Sequence, residues 1–168
     1  MLFALMALAA ANPAYPAFLA PAASGQVQCY VPSDHKTCVS TSVYTANSDG
    51  TFTDTSAVLL SKQPAVVLQI STPTAIKSGA VCAALRQQDV IAASISVNGQ
   101  VIPPEKSGPI LQKIAGSLSP IIGHEICTTF VPADGGFVAK ASMDGKPQPA
   151  QDQKVIWVSP SDGYTVAP

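Results

Sequence analysis

Charge is scarce in this 168-residue chain: Asp, Glu, Lys and Arg together make up 11% of it, and the formal net charge is −1. A nucleic-acid backbone is held by a basic surplus that is missing here, so no nucleic-acid partner is expected. Blocks of like charge are missing too, which excludes an acidic or basic interaction tail. Histidines number two and the tryptophan is single. Zinc sites draw their ligands from close pairs such as Cys-x2-4-Cys, whereas CYVPSDHKTC separates Cys29 from Cys38 by eight residues with His35 between them; neither a metal nor another cofactor is expected. No G-x-S-x-G elbow is present to expose a serine nucleophile, and no G-x-G-x-x-G turn to cradle phosphates. The 15 prolines and 11 glycines are too few and too scattered for a collagen or a disordered chain.

Long apolar runs are also scarce. The longest, Met1 to Ala11, is broken by Asn12 and Pro13, well short of the roughly 20 residues a membrane-spanning helix needs. No Lys or Arg precedes Lys36, so the basic start of an export signal is lacking, yet the apolar run and the small residues around Ala20 to Ala23 suit one. The expectation is therefore a signal peptide over residues 1–24, removed on export, and a single β-rich domain over residues 25–168. That domain would be periplasmic or secreted and would carry no transmembrane span. Cys29 follows Gln26, Val27 and Gln28, which is not the apolar-then-small pattern of a lipid anchor.

What is present points to hairpins. Asp49-Gly50, Asn98-Gly99, Asp134-Gly135, Asp144-Gly145 and Asp162-Gly163 are turn pairs suited to positive φ, mostly between β-branched and aromatic runs. Around Asp49-Gly50 the alternation puts Val43 and Thr45 before the turn, and Phe52 and Thr53 after it. AVVLQIS from Ala65 and AVCAAL from Ala80 read as deeper strands, the second equally as a helix start, and RQQDVIAAS has room for one helical turn. A single amphipathic helix is expected in SGPILQKIAGSLSPIIG. Ile110, Leu111, Ile114 and Leu118 share a face, Ser107 caps it, and Pro120 ends it near Ser119. The fold class is thus mainly β with some α: an antiparallel sheet or a sandwich of hairpins with one amphipathic helix packed on it.

Four cysteines in an exported chain imply disulfides. Three connectivities are open. Cys29 and Cys38 flank a short segment with Pro32 and a turn at Ser33-Asp34, so proximity favours Cys29–Cys38 and leaves Cys82–Cys127.

Candidate chemistry centres on IIGHEICTTF, where His124, Glu125 and Cys127 crowd together. On a strand His124 and Glu125 point to opposite faces, a poor metal grammar. Among Asp34, Asp49, Asp54, Asp89, Glu105, Glu125, Asp134, Asp144, Asp152 and Asp162, at least four belong to turn sequences. Glu125 stands in an apolar context instead, where burial would make it an acid, so Glu125 and His124 are the catalytic candidates. The plainer reading of Glu125 is a strand-edge carboxylate, and of His124 an imidazole favoured at a helix C-terminus. Trp157 with Tyr164 is the candidate aromatic binding platform, against a plain core role for Trp157. These features favour a non-catalytic binding or envelope-associated module for a protein or small-molecule ligand; the alternative is a small periplasmic hydrolase using Glu125 and His124.

Overall fold

Side chains alternate across an extended strand, so each strand has two faces, and here eight strands roll one of those faces into a lumen. The computed structural model describes residues 15–168. Its barrel strands are β1 (Val27–Tyr30), β2 (Ser40–Ala46), β3 (Phe52–Lys62), β4 (Ala65–Lys77), β5 (Ala80–Ala84), β6 (Glu125–Ala133), β7 (Gly136–Met143) and β8 (Gln153–Val158). Each pairs antiparallel with the next, and β8 returns to β1 through Val27↔Val158 and Tyr30↔Val155. Turn grammar leaves sheet and sandwich open; the sheet closes on itself instead, which removes the edges of the ring. The interior of an eight-stranded barrel is just wide enough to be filled by side chains or to hold one small ligand. Outward positions such as Thr53, Thr55, Ser71, Lys140 and Lys154 are polar.

The turns follow the residues with positive φ. Asn98 and Gly99 (φ 48° and 79°) and Asp144 and Gly145 (φ 49° and 74°) both take left-handed conformations. So do Ser78 and Gly79 (φ 48° and 80°), which join β4 to β5 without the Asn or Asp that flags the others. Asp162-Gly163 differs from the hairpin expected there. Pro160–Asp162 is a 3-10 turn, and the following Thr165–Val166 pairs in parallel with Thr37–Cys38. Gly136 is required for a separate reason: a Cβ there would stand 2.4 Å from the Val155 carbonyl oxygen.

Between β5 and β6 lies an insertion of two helices, α1 (Gln87–Ile91) and α2 (Pro104–Ser117), around a small hairpin, Ser94–Val97 with Gln100–Val101. That hairpin pairs with Val66 to Gln69 of β4, and Leu68 and Ile70 of the same strand pack with Val90, Ile95, Leu111 and Ala115. Helix α2 starts at Pro104 rather than at a Ser107 cap. Ser107 is buried inside the first turn, its hydroxyl donating to the Pro104 carbonyl at 3.4 Å. The helix ends at Ser117 with Leu118 as its C-cap, close to where Pro120 denies it a donor. Its buried line runs through Leu111 and Ala115, and Ile110 is 45% exposed. AVCAAL is strand over Ala80–Ala84, and the single turn in RQQDVIAAS is α1.

The expected signal peptide falls partly outside the described residues, which begin at Tyr15. Within them, Ala17–Ser24 is a 3-10 helix that closes one end of the barrel. Leu19 is completely buried beside Tyr44, Phe52 and Val81, and Phe18 stacks on Phe130 at 5.9 Å. The Tyr15 hydroxyl donates to the Tyr44 carbonyl at 3.2 Å and accepts from the Ala46 N–H at 3.1 Å. Removal as far as residue 24 would take these groups with it.

Both disulfides are those favoured by proximity, Cys29–Cys38 with Cα atoms 5.4 Å apart and Cys82–Cys127 with Cα atoms 4.0 Å apart. Cys82 and Cys127 are direct cross-strand partners on β5 and β6, so the bridge ties together the two strands that bracket the helical insertion.

Candidate functional site in the barrel lumen

The register across β2, β3 and β4 sets Tyr44 against Asp54 and Asp54 against Thr72, while Ser42 faces Ser56. On the other side of Ser42, Gln28 of β1 is its partner, and Gln28 in turn faces Trp157 of β8. Strand alternation therefore delivers a run of polar groups to the inside of the barrel. Opposite them, Val81, Ala83 and Ile126 form an apolar wall. Between the two lies a cavity of about 190 Å³, with Tyr30, Thr74, Leu85 and Thr128 completing its lining.

Asp54 is the centre of the polar side. The Ser56 hydroxyl donates to its Oδ1 at 3.1 Å and the Ser42 hydroxyl to its Oδ2 at 3.4 Å, with the two serine oxygens 2.8 Å apart. Desolvation disfavours the charged form, and two hydroxyls only partly offset it, so burial pushes the Asp54 carboxyl up to about 6. Tyr30 and Tyr44 are raised as well, first by burial, with the nearby Asp54 charge adding to the effect. Both phenols are therefore neutral at physiological pH. Tyr30 donates its proton to Gln28 Oε1 at 2.8 Å. Gln28 is fully buried, and its Nε2 has no partner among the described residues; neither does the buried Nε1 of Trp157.

A second cavity, of about 400 Å³, adjoins this one, since Ile126 lines both. Its walls are mainly apolar, from Ile121, Ala141 and Met143, with Gln148 and Gln151 at one side. Along β6, Ile126 and Phe130 lie on the same face, and Phe130 packs under Ala17–Ser24. This vestibule therefore sits toward the end of β6 away from the plug.

The residues singled out from sequence are placed elsewhere. Glu125 is exposed and ion-paired with Lys77, so the apolar burial that would have made it an acid is not there. His124 is also exposed, with Nδ1 2.6 Å from Asp144 Oδ2; that hydrogen bond, helped by the Glu125 backbone N–H, holds the Asp144 carboxyl below the usual range. Each of the two is thus engaged with a partner of its own. Cys82, Glu125 and Cys127 bring potential ligand atoms within 4.8 Å of one another, but both sulfurs are committed to a disulfide and neither is a thiolate ligand. Trp157 packs into the lumen-side cluster around Leu19, whereas Tyr164 packs outside with Cys29, Cys38 and Val158. The pair forms no platform.

Asp54 carries a sequence signal of its own. In TFTDTSAVLL it alternates in phase with Phe52 and Ser56, so whichever side buries Phe52 takes the carboxylate with it. The fold and this site define the molecule as a closed antiparallel barrel with a polar, carboxylate-bearing lumen. No protein-family model, curated protein or solved structure matches the chain.

Proposed function

We propose that this is an exported, non-catalytic binding module, and that the lumen around Asp54 is its small-molecule site. The observation that carries the reading is Asp54 itself. A carboxylate facing a barrel interior, supported only by serine hydroxyls, is costlier there than an apolar side chain of the same size. Groups that stay where they weaken the fold cluster at functional sites. The cavity beside Asp54 is lined mainly by strand residues and is partly open to solvent, which gives a ligand an entry, a preformed polar anchor and an apolar opposite wall, the usual make-up of a small-ligand pocket. Two disulfides are compatible with an oxidising extracellular compartment. No helix among the described residues is long and apolar enough to cross a membrane.

Amide chemical-shift mapping with a library of small polar fragments tests the reading. Binders should perturb Tyr30, Tyr44, Asp54 and Thr72 together, four residues on four different strands. Perturbations gathered instead on His124, Glu125 and Asp144 would reject the lumen in favour of surface chemistry at that turn.

A further inference from the structure

What the lumen takes follows from its chemistry, provided that the lumen is a binding site. We propose that the ligand is a small primary amine with an apolar body, its ammonium seated between Asp54 and Tyr30 and its body passing Ile126 into the vestibule. Three observations lead there. The ion pairs among the described residues are Lys77–Glu125, Arg86–Asp89 and His124–Asp144, so Asp54 belongs to none of them. The carboxylate is an anion without a counter-charge, and no Lys, Arg or His lines its cavity. A ligand carboxylate or phosphate would meet Asp54 across the lumen with no cation between them, and a neutral polyol would leave its charge uncompensated.

Hydrogen-bond polarity points the same way. Because the Tyr30 proton goes to Gln28 Oε1, the Tyr30 oxygen is left to accept. Asp54 also accepts. At the head of the chamber Tyr30 and Asp54 thus present acceptors, the hydroxyls of Tyr44, Thr72 and Thr128 can turn to accept as well, and an ammonium group is a carrier of three donors with no acceptor. Fully buried Gln28 holds Tyr30 in that role through its Oε1.

Size supplies the apolar body. At about 190 Å³ the chamber falls below the roughly 300–1,000 Å³ of pockets that take drug-sized ligands, which suits a head group and a few carbons. The longer part of a ligand has to lie in the adjoining 400 Å³ vestibule, against Ile121, Ala141 and Met143.

Calorimetric titration of the full chain with hexylamine, hexanol and hexanoate near neutral pH tests this directly, read alongside amide mapping of the lumen. Hexylamine should bind the unaltered protein at least about tenfold more tightly than hexanol, the increment expected of a charge-assisted hydrogen bond, and hexanoate more weakly than either. In Asp54→Asn the advantage of the amine should vanish while hexanol is little affected. Equal affinity for hexylamine and hexanol at the lumen would overturn the amine inference and leave the binding module standing. So would an amine preference that survives in Asp54→Asn. If none of the probes perturbs the lumen residues, both readings fail. The hexylamine–hexanol comparison on the unaltered protein decides the matter even if the variant misfolds.

Discussion

Asp54 faces Tyr44 on one neighbouring strand and Thr72 on the other, and among the described residues its side-chain hydrogen bonds come from Ser42 and Ser56. Its raised pKa has a consequence for the whole fold. The folded carboxyl holds its proton more tightly than the unfolded one, so its contribution favours the fold most below pH ~4 and is lost as the pH rises through about 6. An amide at this position would not ionise. Asp54→Asn should therefore gain stability relative to the parent between pH ~4 and neutrality, by on the order of 2–3 kcal/mol. Carboxylates held down by their partners, Asp49, Asp89 and Asp144, act in the opposite sense, but they are common to both proteins and cancel. Urea melts of both proteins at the two pH values measure the difference, and a pH-independent gap between them would mean that Asp54 titrates normally. At this scale the sequence is only partly legible. Hydrophobicity suggests that Val43 faces inward, yet Val43 is 41% exposed and Tyr44 is buried. The rule that apolar residues mark the inner face fails where the lumen itself is polar. For the same reason the signal that Asp54 carries, its phase with Phe52, is easily passed over, while Glu125, in a more apolar stretch, draws attention.

Among the elements, the N-terminal 3-10 helix departs furthest from its sequence reading. Its composition is that of a processing signal, but Leu19 and Ala22 are core residues. Composition records hydrophobicity without saying what it packs against. Leu19→Ala should cost about 2–5 kcal/mol in thermal or denaturant unfolding, the usual range for a truncated core leucine, and a loss under about 0.5 kcal/mol would show the helix to be peripheral. If the chain is exported as proposed, a cleavage that keeps the barrel end closed has to spare this helix. A cut that spares this plug falls before Tyr15, where Ala9, Ala10 and Ala11 supply small residues. N-terminal sequencing of protein recovered outside the cell should find Tyr15 to Ser24 retained; a start at Gly25 would contradict the closed-end barrel. The hairpins are easier to read: Asn98-Gly99 and Asp144-Gly145 take positive φ at both residues, while at Asp49-Gly50, Asp134-Gly135 and Asp162-Gly163 only the glycine does. The β4–β5 turn at Ser78-Gly79 hides behind a less distinctive pair. Helix α2 is legible in its C-terminal half, where Pro120 acts locally, and less so at its start, which Pro103 and Pro104 set without a side-chain cap.

Over the whole molecule, antiparallel strands in sequence order are within reach of the turn pattern, but closure is not. The β1–β8 pairing joins residues about as far apart as the domain allows, and nothing local in Val27–Tyr30 or Gln153–Val158 records it. Closure is nevertheless what creates a lumen and surrounds Asp54 with Tyr30, Tyr44 and Thr72. On the proposed reading, this lumen holds an uncompensated carboxylate fit to receive a cation. Carboxyl-carbon NMR of Asp54, titrated with pH in the free protein and again with hexylamine, tests it most directly. The account predicts a midpoint of about 6 in the free protein, moving downward when the amine is bound, because a nearby cation favours the charged form. A free-protein midpoint in the ordinary aspartate range, unmoved by the amine, would contradict it.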